Sequence, residues 1–280
     1  MNIYFEQSIQ KFSDKVTNLL EEKEACNNLL LGLVERMKSQ PMIEGVYLGL
    51  VENDGKVIYC LMQTPGNNWI LPDVNHVPPI VLKCIVHTLI EQEKEIPGVI
   101  GPTTATVHFV QEYHRLKEKE ILHEHMKQRI YQLHDVKLLP EGPGELVVAT
   151  MKYHDLISDW LVQFGKQINE SMTEEQAKEM ATRFIEQKSS YLWMVNQVPV
   201  SMVNKARATR HGATVNAVFT PDKFKRKGYA TNAVSALSLR LLQEGYRFCA
   251  LYTDDANPTS NGIYQKIGYE QVGTSIVYRK

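Results

Sequence analysis

Between Thr220 and Leu237 the chain reads TPDKFKRKGYATNAVSAL, with Lys223, Lys225, Arg226 and Lys227 crowded against Gly228 and an apolar helical pattern following at once. A strand that ends in a glycine turn and opens a helix presents unpaired backbone N–H groups and the positive end of the helix dipole. Those groups favour a phosphate, and a glycine lets it approach the backbone. The same cluster would also suit a nucleic acid, a membrane surface or a plain solvated turn. Two known phosphate loops are absent: neither G-x-x-x-x-G-K-[ST] nor G-x-G-x-x-G occurs.

The elements around this turn follow from periodicity. Ala213–Thr220 reads as a strand before it, and apolar Ala233, Val234, Leu237 and Leu241 give one face of a helix from Ala230, ended by Gly245. Phe248–Thr253 is a compact apolar run, so the two strands should be parallel neighbours joined through the helix. A short helix after Asn257 and a β-like end, YEQVGTSIVYR, complete this half. Upstream lie a strand-like run at Leu146–Met151, a helix with Leu156, Trp160 and Phe164 on one face, and a helix with Ser171 near its start. Two β-rich runs then flank Asn196 and Gln197.

The first half repeats the order without repeating the residues: a helix at Asn28–Met37, a hairpin turning at Asn53, Asp54 and Gly55, a helix over Ile80–Gln92, a strand at Val99 and a helix over Thr103–Leu116. Its corresponding loop, ILPDVNHVPPI, has neither glycine nor basic residues. Proline and glycine in VKLLPEGPG mark a linker, giving expected domains at 1–137 and 144–280 with a linker at 138–143.

A net charge of −1 over 280 residues argues against a nucleic-acid footprint on the whole molecule, so anion binding should be local. No run approaches ~20 apolar residues and the start has no signal-peptide pattern, which leads to the expectation of a cytoplasmic chain without membrane partners. Cys26, Cys60, Cys84 and Cys249 lack CxxC spacing and read as reduced thiols. His123, His125 and His134 lack a placed carboxylate and read as a surface or strand cluster, with no metal expected.

The hexamer Lys225–Ala230 resembles motif A of the GNAT acetyltransferases, Arg or Gln, x, x, Gly, x, Gly or Ala, with Lys225 departing at its first position. Asn257, Ser260, Tyr264, Gly268 and Tyr269 match the second signature of that family, about thirty residues further on. The resemblance covers 144–280 and implies an α/β fold with a mixed α+β sheet, of the acyl-CoA N-acyltransferase type, with splayed parallel central strands. The weaker first half resembles a degenerate copy in a tandem arrangement.

The resemblance implies an N-acetyltransferase using acetyl-CoA as co-substrate and a primary amine, from a small molecule or peptide, as acceptor, in a monomer or homodimer. It assigns the pyrophosphate to Lys225, Arg226, Lys227, Gly228, Tyr229, Ala230 and Thr231, and the pantetheine arm and thioester to backbone groups at Ala217, Val218 and Phe219. Asn257 and Ser260 would also hold the cofactor arm, and Tyr264 would be the general acid. The family's usual glutamate before motif A is missing from GATVNAVFT. Asp254 and Asp255 are candidates for the base or an amine anchor, and equally suit solvating a turn. A non-catalytic acyl-CoA sensor is the alternative from another functional class.

Overall fold

The computed structural model describes residues 1–39 and 44–280. In chain order it holds β1 (Asn2–Phe5), α1 (Ile9–Glu21), α2 (Asn28–Lys38), β2 (Tyr47–Asn53), β3 (Lys56–Gln63), β4 (Trp69–Ile70), α3 (Pro79–Glu91), β5 (Gly98–Pro102), α4 (Thr103–Leu116) and β6 (His123–Leu133). There follow β7 (Glu145–Val148), α5 (His154–Gln167), α6 (Glu174–Glu186), β8 (Ser190–Val195), β9 (Val198–Ala208), β10 (Gly212–Phe219), α7 (Tyr229–Gln243), β11 (Phe248–Asp254), α8 (Pro258–Ile267) and β12 (Glu270–Arg279). Two compact units result: Met1–Ile130 with Val272–Lys280, and Tyr131–Gln271.

Strands of the first unit run in the order β1, β2, β3, β4, β5, β12. Its layers are written into the alternation of β3. Tyr59 and Leu61 join the cluster formed by Val81, Ile85 and Leu89 of α3 and Phe109 and Tyr113 of α4. Cys60 and Met62 point the other way, into the cluster of Phe12, Val16 and Leu20 from α1 and Leu30 and Val34 from α2. Successive strand residues face opposite sides, so a sheet with helices on both faces must be apolar at nearly every position.

The second unit repeats this layering. Its strands run β6, β11, β10, β9, β8, β7, with β6 contributing its last residues. On β8, Tyr191 and Trp193 pack with Val234, Leu237 and Leu241 of α7. Leu192 and Met194 pack instead with Ile157 and Trp160 of α5 and with Ala177 and Ala181 of α6.

The compact units are not continuous in sequence: the first includes Val272–Lys280 and the second begins at Tyr131, whereas the expected domains were 1–137 and 144–280. The strand beside β5 is β12, from the end of the chain, in antiparallel register from Ser275↔Pro102 to Arg279↔Gly98. The strand beside β11 in the second unit is β6, which follows α4. Residues 138–143 are not a free tether. The Asn232 Nδ2 donates to the Glu141 carbonyl at 2.7 Å, and the Glu141 N–H donates to Asn232 Oδ1 at 3.2 Å, fastening this segment to the first turn of α7.

Local signals moved two other boundaries. β7 stops at Val148, and a 3-10 turn over Met151–Tyr153 takes the residues expected to extend it. α6 begins at Glu174 because Thr173 and Gln176 form a reciprocal capping box, Thr173 Oγ1 accepting from the Gln176 N–H and Gln176 Oε1 from the Thr173 N–H.

Candidate active site

β10 and β11 pair in parallel only from Gly212↔Phe248 to Thr214↔Ala250. Both strands continue, to Phe219 and Asp254, so beyond Thr214 and Ala250 no ladder register joins them. A bulge adds to the divergence. Three steps along β10, from Asn216 to Phe219, oppose two along β9, from Asn204 to Met202. Ala217 sits in this bulge at φ +47°, a left-handed conformation that costs an L-residue about 1–2 kcal/mol.

The bulge reverses the strand's facing. Ala213 and Val215 pack toward α7, whereas Ala217 and Phe219 pack toward α5 and α6, leaving Val218 on the α7 side. The Ser201 hydroxyl donates to the Phe219 carbonyl at 3.0 Å and accepts from Thr220 Oγ1 at 2.9 Å, which fixes the strand end.

Immediately after this strand end the basic turn opens α7. Gly228, at φ +79°, is the N-cap and supplies no side-chain cap; a Cβ built on it would meet no atom within 4 Å. The first helical N–H groups have no intrahelical acceptor, and the N-cap brings no side chain to satisfy them. Arg226 is also left-handed, at φ +61°. Of the four cations, Lys225 is tied to Asp222 at 2.7 Å and Lys223 lies 4.9 Å over the Phe224 ring. Arg226 and Lys227 are exposed on the turn itself.

Tyr264 faces inward from α8, 8 % exposed, its ring 6.4 Å from that of Tyr131 and 6.0 Å from that of Tyr269. Burial pushes its phenol up to about 12, because the interior disfavours the phenolate. It shares one apolar cluster with Val215 and Leu251, and Val218, Phe224 and Tyr229 pack against that cluster. The phenol, the splayed strands and the basic turn thus converge on one side of the second unit's sheet.

The remaining sequence-derived residues have local partners. Asn257 caps α8, its Oδ1 accepting from the Ser260 N–H at 3.0 Å. Asp254 Oδ1 accepts from the Ala256 N–H at 2.9 Å, an Asx turn; Asp255 is exposed. Sequence reasoning missed Asn261, which is 5 % exposed. Its Nδ2 donates to the carbonyls of Asp254, Asp255 and Asn257 at 3.1, 3.4 and 2.8 Å, locking the β11–α8 loop to its helix. Asparagine inside a helix competes poorly with better helix formers, and that was the available signal. In the first unit His125 Nε2 lies 3.2 Å from Arg279 Nη1, while in the second His134 Nδ1 lies 3.1 Å from the Arg247 carbonyl.

Residues 191–277 match the family described as FR47-like protein. No curated protein matches the chain by sequence. Among solved structures, a GCN5-related N-acetyltransferase from Sphaerobacter thermophilus is similar at TM-score 0.64 and 11 % identity, covering 99 % of this chain and 95 % of its own. A GNAT-family acetyltransferase from Colwellia psychrerythraea gives TM-score 0.58 and 14 % identity, with 100 % and 99 % covered. A tandem GNAT protein from the clavulanic acid biosynthesis pathway gives 0.58 and 10 %, with 100 % and 98 % covered. The class is therefore plain: this chain has the mixed α/β fold of the GNAT acyl-CoA N-acyltransferases. More particularly, it has the tandem form of that fold, two GNAT units in a single polypeptide.

Proposed function

We propose that the second unit is an acetyl-CoA-dependent N-acetyltransferase acting on a primary amine. The observation that carries the reading is the coincidence of an opened parallel strand pair with an uncapped, glycine-opened helix N-terminus at its end. The residues fit the group: Gly228 caps α7 without a side chain, a Cβ there would meet nothing within 4 Å, and the strand edges beyond Thr214 and Ala250 offer backbone donors and acceptors to an extended arm. Acetyl-CoA would supply the activated thioester.

In this reading the N–H groups of Gly228, Tyr229, Ala230 and Thr231 hold the pyrophosphate, with Arg226 and Lys227 adding charge and Lys225 restrained by Asp222. Backbone groups at Ala217, Val218 and Phe219 hold the pantetheine and polarise the carbonyl. Asn257 and Ser260 line the arm from the start of α8. The amine nitrogen forms the new C–N bond, the C–S bond breaks, and the Tyr264 phenol gives its proton to the departing sulfur. A phenol held at about 12 stays protonated at neutral pH and remains able to donate. Asp254 or Asp255 accepts the amine proton, directly or through water.

Thiol release from acetyl-CoA over a panel of primary amines tests the reading. Turnover with at least one amine, reduced about 10²-fold in Tyr264→Phe, supports it. One observation favours the sensor alternative: β10 carries no acid, and Asn216 is its exposed residue at the bulge. Binding of acetyl-CoA without turnover on any amine would select that alternative.

A further inference from the structure

The first unit holds an independent cluster of charged groups around a cavity of about 480 Å³ on the outer faces of α3 and α4. Glu112 of α4 is its centre, with a side chain only 5 % exposed. It accepts two hydrogen bonds from Arg115, Nη2 to Oε1 at 2.6 Å and Nε to Oε2 at 3.1 Å, and Oε1 lies 2.9 Å from His87 Nε2. Arg115 above all, together with His87, holds this carboxyl down at about 2, with Lys83 adding to the effect. Such a carboxylate is fully committed to its partners. It orients a guanidinium and an imidazole rather than offering itself to a ligand.

The remaining lining has two chemistries. Met1 and Ile80 are more than half exposed, at 52 % and 54 %, and with Ile3 they are the apolar part of the lining. Lys83 and Arg115 line the same cavity, with Cys84 between Lys83 and His87 in the sequence. Lys83 and Arg115 against the single Glu112 carboxylate leave net positive charge beside exposed apolar surface. An anion with an aliphatic tail complements both features, whereas inorganic phosphate lacks a group for the apolar patch and a cation is repelled by the charge.

We propose that this cavity binds an aliphatic monocarboxylate, its head group between Lys83 and Arg115 and its tail over Ile80, Ile3 and Met1. Glu112 and His87 are positioning residues that aim the guanidinium. Nothing in this site draws on the second unit, so it stands or falls apart from the acetyltransferase reading.

Calorimetric titration of the full chain with octanoate is the test, with octylamine, acetate and inorganic phosphate as parallel probes. One saturable octanoate per chain is expected, with acetate at least tenfold weaker because it lacks the tail. Exposed Lys83→Gln should raise the octanoate Kd at least tenfold without altering the circular dichroism spectrum, and Ile80→Ser should weaken octanoate but leave acetate unchanged. Octanoate should also slow alkylation of Cys84 in the wild type. Equal binding of octanoate and octylamine would overturn the proposal, as would preference for phosphate, an unchanged Kd in Lys83→Gln, or the absence of saturable binding.

Discussion

The two units place a parallel strand pair, a crossover helix and a following helix in the same order, yet they treat the start of the crossover helix in opposite ways. In the second unit Gly228 opens α7 at φ +79° beside exposed cations. In the first, Pro78 is the N-cap of α3 and Pro79 its first residue, which removes a backbone donor at the very position where an anion would bind. The loop from Leu71 to Pro78 has no lysine or arginine, and its Asp73 instead pairs with Lys23 at 2.7 Å. One layered architecture therefore serves both units, while the turn before the crossover helix differs between them in backbone donors and in charge.

The strand ends differ as well. β4 stops at Ile70 after two paired residues, Trp69↔Val99 and Ile70↔Ile100, and Leu71 continues with a hydrogen bond from its N–H to the Ile100 carbonyl at 2.8 Å. β10 keeps five residues beyond its last partner on β11. An arm laid between diverging strands needs such free edges, and the second unit is where they are long.

The largest expected effect comes from breaking the shared strand arrangement. Truncation after Gln271 removes the partner of β5, and at about 1 kcal/mol per lost ladder bond it should unfold the first unit at temperatures where the intact chain is folded. Hydrogen exchange of β5 amides would show it. Next, Tyr264→Phe should lower kcat about 10²-fold with unchanged affinity for acetyl-CoA. Its counterpart control, Tyr113→Phe on α4, loses only the hydrogen bond to Glu120 at 2.7 Å, and should cost about 1 kcal/mol of stability with no kinetic change.

Charge at the turn gives a smaller effect. Arg226→Gln with Lys227→Gln should raise the acetyl-CoA KM several-fold and flatten its dependence on ionic strength, while Lys23→Gln in the first unit should leave both unchanged. The pH response follows from the buried phenol. Tyr264 is raised from 10.0 to about 12, so the native state holds this proton more tightly than the unfolded chain. Its contribution is fully present below pH 10 and is lost as pH rises through about 12. Tyr264→Phe should thus be less sensitive to alkali in that window, measured by unfolding monitored in the far ultraviolet. Thr173→Ala should cost about 1 kcal/mol through the broken capping box and leave the kinetics untouched.

Much of this contrast was legible in the sequence because it is local. Gly228 among lysines, the 3.6-residue rhythm through Leu241 and the spacing from Asn257 to Tyr269 each belong to one short segment. Prolines 72, 78 and 79 likewise mark the loop of the first unit as different. What escaped was non-local or geometric. β12 looks like a closing strand for its own half, and nothing in its residues names β5 as its partner. The bulge at Ala217 has no glycine to announce it, since an alanine carries the left-handed backbone there. β1 and α1 were passed over because a polar, acidic opening hid the buried stripe of Phe12, Val16 and Leu20. The turn role of Asp254 was among the alternatives, and its Oδ1 does accept from the Ala256 N–H; the structure shows the cap that Asn257 gives to the Ser260 N–H.

The central claim is that only the second unit has an acetyl-CoA site and that the turn at Gly228 makes it. Isothermal titration of acetyl-CoA into the full chain tests it most directly, alongside Gly228→Val, which puts a β-branched side chain at a left-handed position at the start of α7. One site per chain, weakened at least tenfold in a folded Gly228→Val, is the expected result. Two sites, none, or full affinity in that variant would contradict the account.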